Sequence, residues 1–216
     1  YHNVISVVGP TLVPILLNFL ITDTEVDLYK SYEIEDVNDL VIELQENNKS
    51  MVIDNVILCL RCFIEAEYEI IPPLIIPFIE TNFNSDNISL LFASLYATYS
   101  VIKFKNFYDI LNQMMPKLLV LASQNDNADI QSCSLFIIAK SLLNHHGLIS
   151  NPNHFNEILS LIQNNISSVT SQENKFSPYH KLVILDRTFH LLGRLIKCFE
   201  GEQMQLFLGE NFLLTR

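Results

Sequence analysis

The chain has 216 residues, 49% of them hydrophobic, with 5 Gly, 8 Pro and a net charge of −11. That is ample apolar material for a continuous core, and too little turn chemistry for a sheet protein, so the composition predicts an all-α fold. The 24 acidic against 13 basic side chains argue against a phosphate backbone as ligand, since nucleic-acid binders concentrate Lys and Arg. Four cysteines outside any dense framework read as free thiols in a reducing, intracellular compartment.

In chain order, the first predicted helix covers 4–21. It is uncharged, but it carries Gly9, Pro10, Pro14 and Asn18 and has no basic leader, so the expectation is neither a signal peptide nor a membrane-inserted span. An acidic insert follows. Between Asp23 and Glu46 there are nine carboxylates and one Lys, ending in a helix predicted over 36–46. Asp36, Asp39 and Glu43 fall on one face of that helix at i, i+3 and i+7. Such a run serves either as a docking surface for a Lys/Arg-rich partner or as a solvated face, and the sequence leaves both open.

The next helix, 50–67, contains Cys59 and Cys62. A structural zinc site needs four ligands, and Cys133 and Cys198 stand far apart in sequence, so these cysteines read as small buried core residues and no metal is expected. Helices are then predicted over 72–83, 87–103, 106–123, 128–145, 153–168, 178–199 and 202–213, joined by links of Asn, Asp, Ser and Pro. Asp126 or Asp129 is expected to cap 128–145. His145 and His146 close that helix, where imidazoles suit the last free carbonyls. Asp186, Arg187 and His190 share a face of 178–199 within an apolar run, which reads as a packing helix. Three Asn-x-Ser triplets, at Asn48, Asn87 and Asn165, are of chance frequency in an Asn-rich chain.

One period runs through this order. Pro77 and Pro116 open matching segments 39 residues apart, and the same step lands on Phe155. Between these anchors lie second helices opened by a polar cluster, Ser85-Asp86-Asn87-Ile88 and Asp126-Asn127-Ala128-Asp129-Ile130. A step of roughly 40 residues suits a HEAT or armadillo unit. The chain resembles HEAT-repeat proteins over residues 36 to 199, which implies an α-solenoid of antiparallel helix pairs, about five hairpins in a single segment 1–216. The basic residue that often follows the Asp-Val pair of that family is Gln131 in one copy and Ser89 in another.

Leu191-Leu-Gly-Arg-Leu-Ile-Lys-Cys-Phe-Glu-Gly-Glu202 and the segment after it, together with the acidic insert, are similar to the importin-β (karyopherin) nuclear transport receptors. That resemblance implies a cytoplasmic and nuclear protein that binds basic cargo and the GTPase Ran, with Asp36, Asp39 and Glu43 as charge-pairing residues. The repeats alone fit other scaffolds equally, such as a vesicle-coat adaptor, a phosphatase scaffold or the helical arm of a kinase. No Gly-rich phosphate loop, GxSxG elbow, HExxH pair or EF-hand loop is present, so neither an enzyme nor a cofactor is expected.

Overall fold

The computed structural model describes residues 2–22, 51–123, 126–150, 152–171 and 175–198. Among them are eight α-helices, two short 3₁₀ turns and no strand, as an all-α sequence requires. They fall into two compact units, within Tyr1–Phe107 and within Tyr108–Arg216. The predicted helices 36–46 and 202–213 lie outside the described residues.

Unit 1 holds α1 (His2–Thr22), α2 (Met51–Ala66), α3 (Pro72–Asn82) and α4 (Ile88–Val101), followed by a 3₁₀ turn, Lys105–Phe107. Helix α4 is the centre, packed on α1, α2 and α3, and every residue from Leu91 to Val101 is buried. A helix buried on all sides shows no amphipathic period, and its start is marked instead by Asn87. The Asn87 side chain, on extended backbone, accepts from the Ser89 and Leu90 amides at 2.9 and 3.3 Å, satisfying two of the first-turn donors. Three hydroxyls in this core are silenced locally: Ser94, Thr98 and Ser100 donate to the carbonyls of Leu91, Ser94 and Tyr96.

The other helices of unit 1 are set by small residues and by aromatic contacts. Helix α1 presents Gly9, Val13, Leu17 and Leu20 to the interior. A Cβ on Gly9 would sit 2.6 Å from Ile71 Cδ1, so a side chain there would require the end of the buried Ile71 side chain to shift. Prolines at the first positions of α3 need no helical hydrogen bond there and fix its entry. Tyr68 stands edge-on to Phe104, ring centroids 4.7 Å apart, and its hydroxyl accepts from the Lys105 amide at 3.3 Å.

Unit 2 holds α5 (Tyr108–Ser123), α6 (Ala128–Asn144), a 3₁₀ turn (His146–Ser150), α7 (Pro152–Thr170) and α8 (Pro178–Lys197). Here α6 is the fully buried helix, with no exposed residue from Ile130 to Leu142. Its cap is Asn127, whose side chain accepts from the Asp129 and Ile130 amides at 2.9 and 3.2 Å. In place of the expected Asp126 or Asp129, the cap is thus Asn127, on extended backbone with φ −104° and ψ 109°, while Asp129 lies inside the helix as its second residue. Helix α6 packs on α5 and α8, and α7 packs on α5 and α8. A buried polar relay binds three of them. Gln131 donates to the Asn165 side chain at 3.1 Å, and Asn165 donates to the Ala122 carbonyl at 3.1 Å. Helix α8 starts at Ser177, whose hydroxyl accepts from the His180 amide, with Pro178 in the first turn.

Candidate functional site

The residues singled out for charge pairing, Asp36, Asp39 and Glu43, lie outside the described residues. The other sequence candidates can be placed. Cys59 and Cys62 were expected in the core, yet both thiols are exposed. The inward stripe of α2 is Ile53, Val56, Ile57, Leu60 and Ile64, and the cysteines fall off that helical phase. Partial burial pushes the Cys62 thiol up, and Glu65 and Cys59 beside it add to this against Arg61. No group of three or more metal-ligating side chains occurs among the described residues.

Helix α6 ends as its sequence suggested, through different atoms. The His145 backbone N–H donates to the Ser141 carbonyl at 2.8 Å, and the Asn144 side chain donates to the Lys140 carbonyl at 2.8 Å. The buried His145 ring lies 6.0 Å from that of Tyr108. His146 is exposed, with its Nδ1 3.7 Å from Cys198 Sγ. Burial pushes the Cys198 thiol up, which favours the neutral thiol over the nucleophilic thiolate.

Among the described residues, a group of charged side chains lies between α6 and α8. Lys140 Nζ and the Arg187 guanidinium carbon stand 5.3 and 5.2 Å from the centroid of the Phe136 ring. Both side chains are buried, and an aromatic face is one of the few apolar surfaces that attracts a cation. Arg194 Nε donates to His190 Nε2 at 3.4 Å, which needs the neutral imidazole. His190 is held below its usual pKa by burial first, then by Arg194, Lys140 and Arg187, with Asp186 opposing. Asp186 itself is exposed, 3.9 Å from Arg187 Nη1. Thus Asp186, Arg187 and His190 do share a neighbourhood, one with a positive local field. The sequence reading missed Lys140 and Phe136 as members; the available signal was a lone Lys inside the run Leu135–Leu142.

Two apolar features complete the surface. Helix α1 is long and apolar enough to cross a membrane, with a mean hydropathy of 2.2 over Val4–Ile21 and 22% of that window buried, and Val4, Val7, Ile15 and Phe19 are exposed on it. In unit 2, Pro116, Leu119 and Val120 of α5 face Glu157, Ser160 and Leu161 of α7 across an open groove of about 480 Å³. Asn87 and Asn165, two of the Asn-x-Ser positions, serve as a helix cap and as the buried relay. No family model, no curated protein and no solved structure matches this chain.

Proposed function

We propose that this chain is a protein-binding helical scaffold built as a HEAT-type solenoid segment, and that it works in the manner of the importin-β transport receptors. The observation that carries the solenoid reading is the packing within unit 2. Helices α5 and α6 pair, α7 and α8 pair, and each helix also touches the equivalent member of the other pair, α5 on α7 and α6 on α8. That is the neighbour pattern of stacked hairpins. Short links between the members of each pair favour antiparallel neighbours. The 39-residue step from Pro77 to Pro116 and the matching Asn caps of α4 and α6 support the same reading.

In this proposal the acidic insert supplies long-range attraction for a basic cargo, with Asp36, Asp39 and Glu43 pairing with its Lys and Arg side chains. Ran in its GTP state would bind overlapping repeats and expel the cargo, so that the protein shuttles between cytoplasm and nucleus. No turnover, cofactor, nucleic-acid binding or membrane insertion enters this reading.

The test is a pull-down of the full chain with Ran-GTP and with a Lys/Arg-rich import peptide. Binding to both, with Ran-GTP displacing the peptide, is expected. Binding to neither at low salt would reject the transport reading.

A further inference from the structure

We propose that Cys59 and Cys62 on α2 form a two-thiolate site for a soft monovalent metal ion, with Cu(I) the ion it fits. The first support is placement. Both thiols are exposed, and at about 100° per residue they stand about 60° apart on the helix. They lie roughly opposite the stripe of Ile53, Val56, Ile57, Leu60 and Ile64 through which α2 packs on α1 and α4. Burial in the core was the ground for expecting no metal here, and that ground is gone. The second support is spacing. Residues three apart on a helix hold their Cβ atoms about 5–6 Å apart, whereas a disulfide needs about 3.5–4.5 Å. The pair therefore cannot close on itself without distorting α2. Two sulfurs that share one ion need no direct contact: with metal–sulfur bonds of about 2.3 Å they stand about 4 Å apart, which that spacing allows.

The third support is ligand count. No group of three or more metal-ligating side chains occurs among the described residues, and zinc takes three or four protein ligands. Soft thiolates select Cu(I), which two of them satisfy, and the conditions that keep both thiols reduced also hold copper in that state. Binding forms two Cu–S bonds and releases the two thiol protons, with no change in oxidation state. Burial first, then Glu65 and Cys59, hold the Cys62 thiol above its usual pKa, with Arg61 opposing, so protons compete with the ion for that sulfur. An ion held by two sulfurs on an open helix face stays accessible to an incoming thiolate. The site is thus suited to acquiring and handing on its ion, and α2 does not need the ion to fold. Asp36, Asp39 and Glu43 play no part in it, so it does not depend on the transport reading.

The experiment is anaerobic titration of the reduced full chain with Cu(I) against a chromophoric Cu(I) chelator, followed by gel filtration. One ion retained per chain is expected, at the elution volume of the metal-free chain, with retention weakening as the pH falls. Cys59→Ser and Cys62→Ser should each lose the ion, with helical circular dichroism unchanged because both side chains are exposed. Cys198→Ser, which removes the thiol 3.7 Å from His146 Nδ1, should keep it. No retention against the chelator, retention unchanged in the Cys59 and Cys62 variants, or loss of the ion in Cys198→Ser would overturn the proposal. So would displacement of Cu(I) by zinc with pairing of two chains, which would show a four-thiolate zinc site shared between copies.

Discussion

The interiors of the two units are alike, and their charges are not. Helices α4 and α6 are each the buried centre of a unit, each capped by an Asn, Asn87 and Asn127, that accepts from the second and third amides of the helix. Residues 1–107, by contrast, contain 15 acidic and 5 basic side chains, a net of −10, while residues 108–216 contain 9 and 8, a net of −1. Packing and capping set the repeated interior, because a buried helix tolerates little change in volume. The charge of the sequence is under no such constraint, and it is there that the two halves of the chain diverge.

The likeness of the interiors is broken most strongly by removing matched core residues. Leu95→Ala in α4 and Leu135→Ala in α6, both fully buried, should each cost about 2–5 kcal/mol in denaturant unfolding. A cost confined to one of them would end the equivalence. Asn165→Ala comes next. It strands the Gln131 amide and the Ala122 carbonyl of the relay and should cost about 1–3 kcal/mol, in a unit 2 feature for which unit 1 shows no matching bond among the described residues.

The caps sharpen the comparison further. Asn87→Ala and Asn127→Ala should each cost about 1 kcal/mol, whereas Asp126→Ala should stay within about 0.5 kcal/mol. A smaller effect is expected from pH. His190 is lowered in the folded chain by burial and by Arg194, Lys140 and Arg187, so below the ordinary His pKa the unfolded chain binds the proton first. Stability should therefore fall as the pH drops from 6.5 toward the folded value, and His190→Gln should flatten that slope. Smallest of all, Ser134→Ala should be neutral or slightly stabilising, because the buried Ser134 hydroxyl has no hydrogen-bond partner among the described residues. Thermal melts at matched pH would register both.

Most of the helix content was legible before any coordinates. Prolines at 72, 77, 116, 152 and 178 and the Asx clusters punctuate the chain, and the predicted bounds of the placed helices differ from the observed ones by a few residues at most. The failures have a common cause. Cys59 and Cys62 were assigned by residue type, and only the phase of Ile53, Ile57, Leu60 and Ile64 shows that they point outward. The cap of α6 lay among three Asx residues, Asp126, Asn127 and Asp129, and residue type alone does not choose between them. Phe136 and Arg187 are 51 residues apart, and a cation over a ring at that separation is created by packing, with no local period to announce it. The carboxylates of the acidic insert were conspicuous in the sequence, but Asp36, Asp39 and Glu43 lie outside the described residues.

The central claim, a scaffold whose acidic insert recruits basic protein segments, is tested most directly by binding a labelled Lys/Arg-rich peptide to three forms of the full chain at low salt. The native chain and Arg194→Gln should bind it alike, while the combined Asp36→Asn, Asp39→Asn and Glu43→Gln variant should lose most of the affinity. No binding by the native chain, or undiminished binding by the triple variant, would contradict the account.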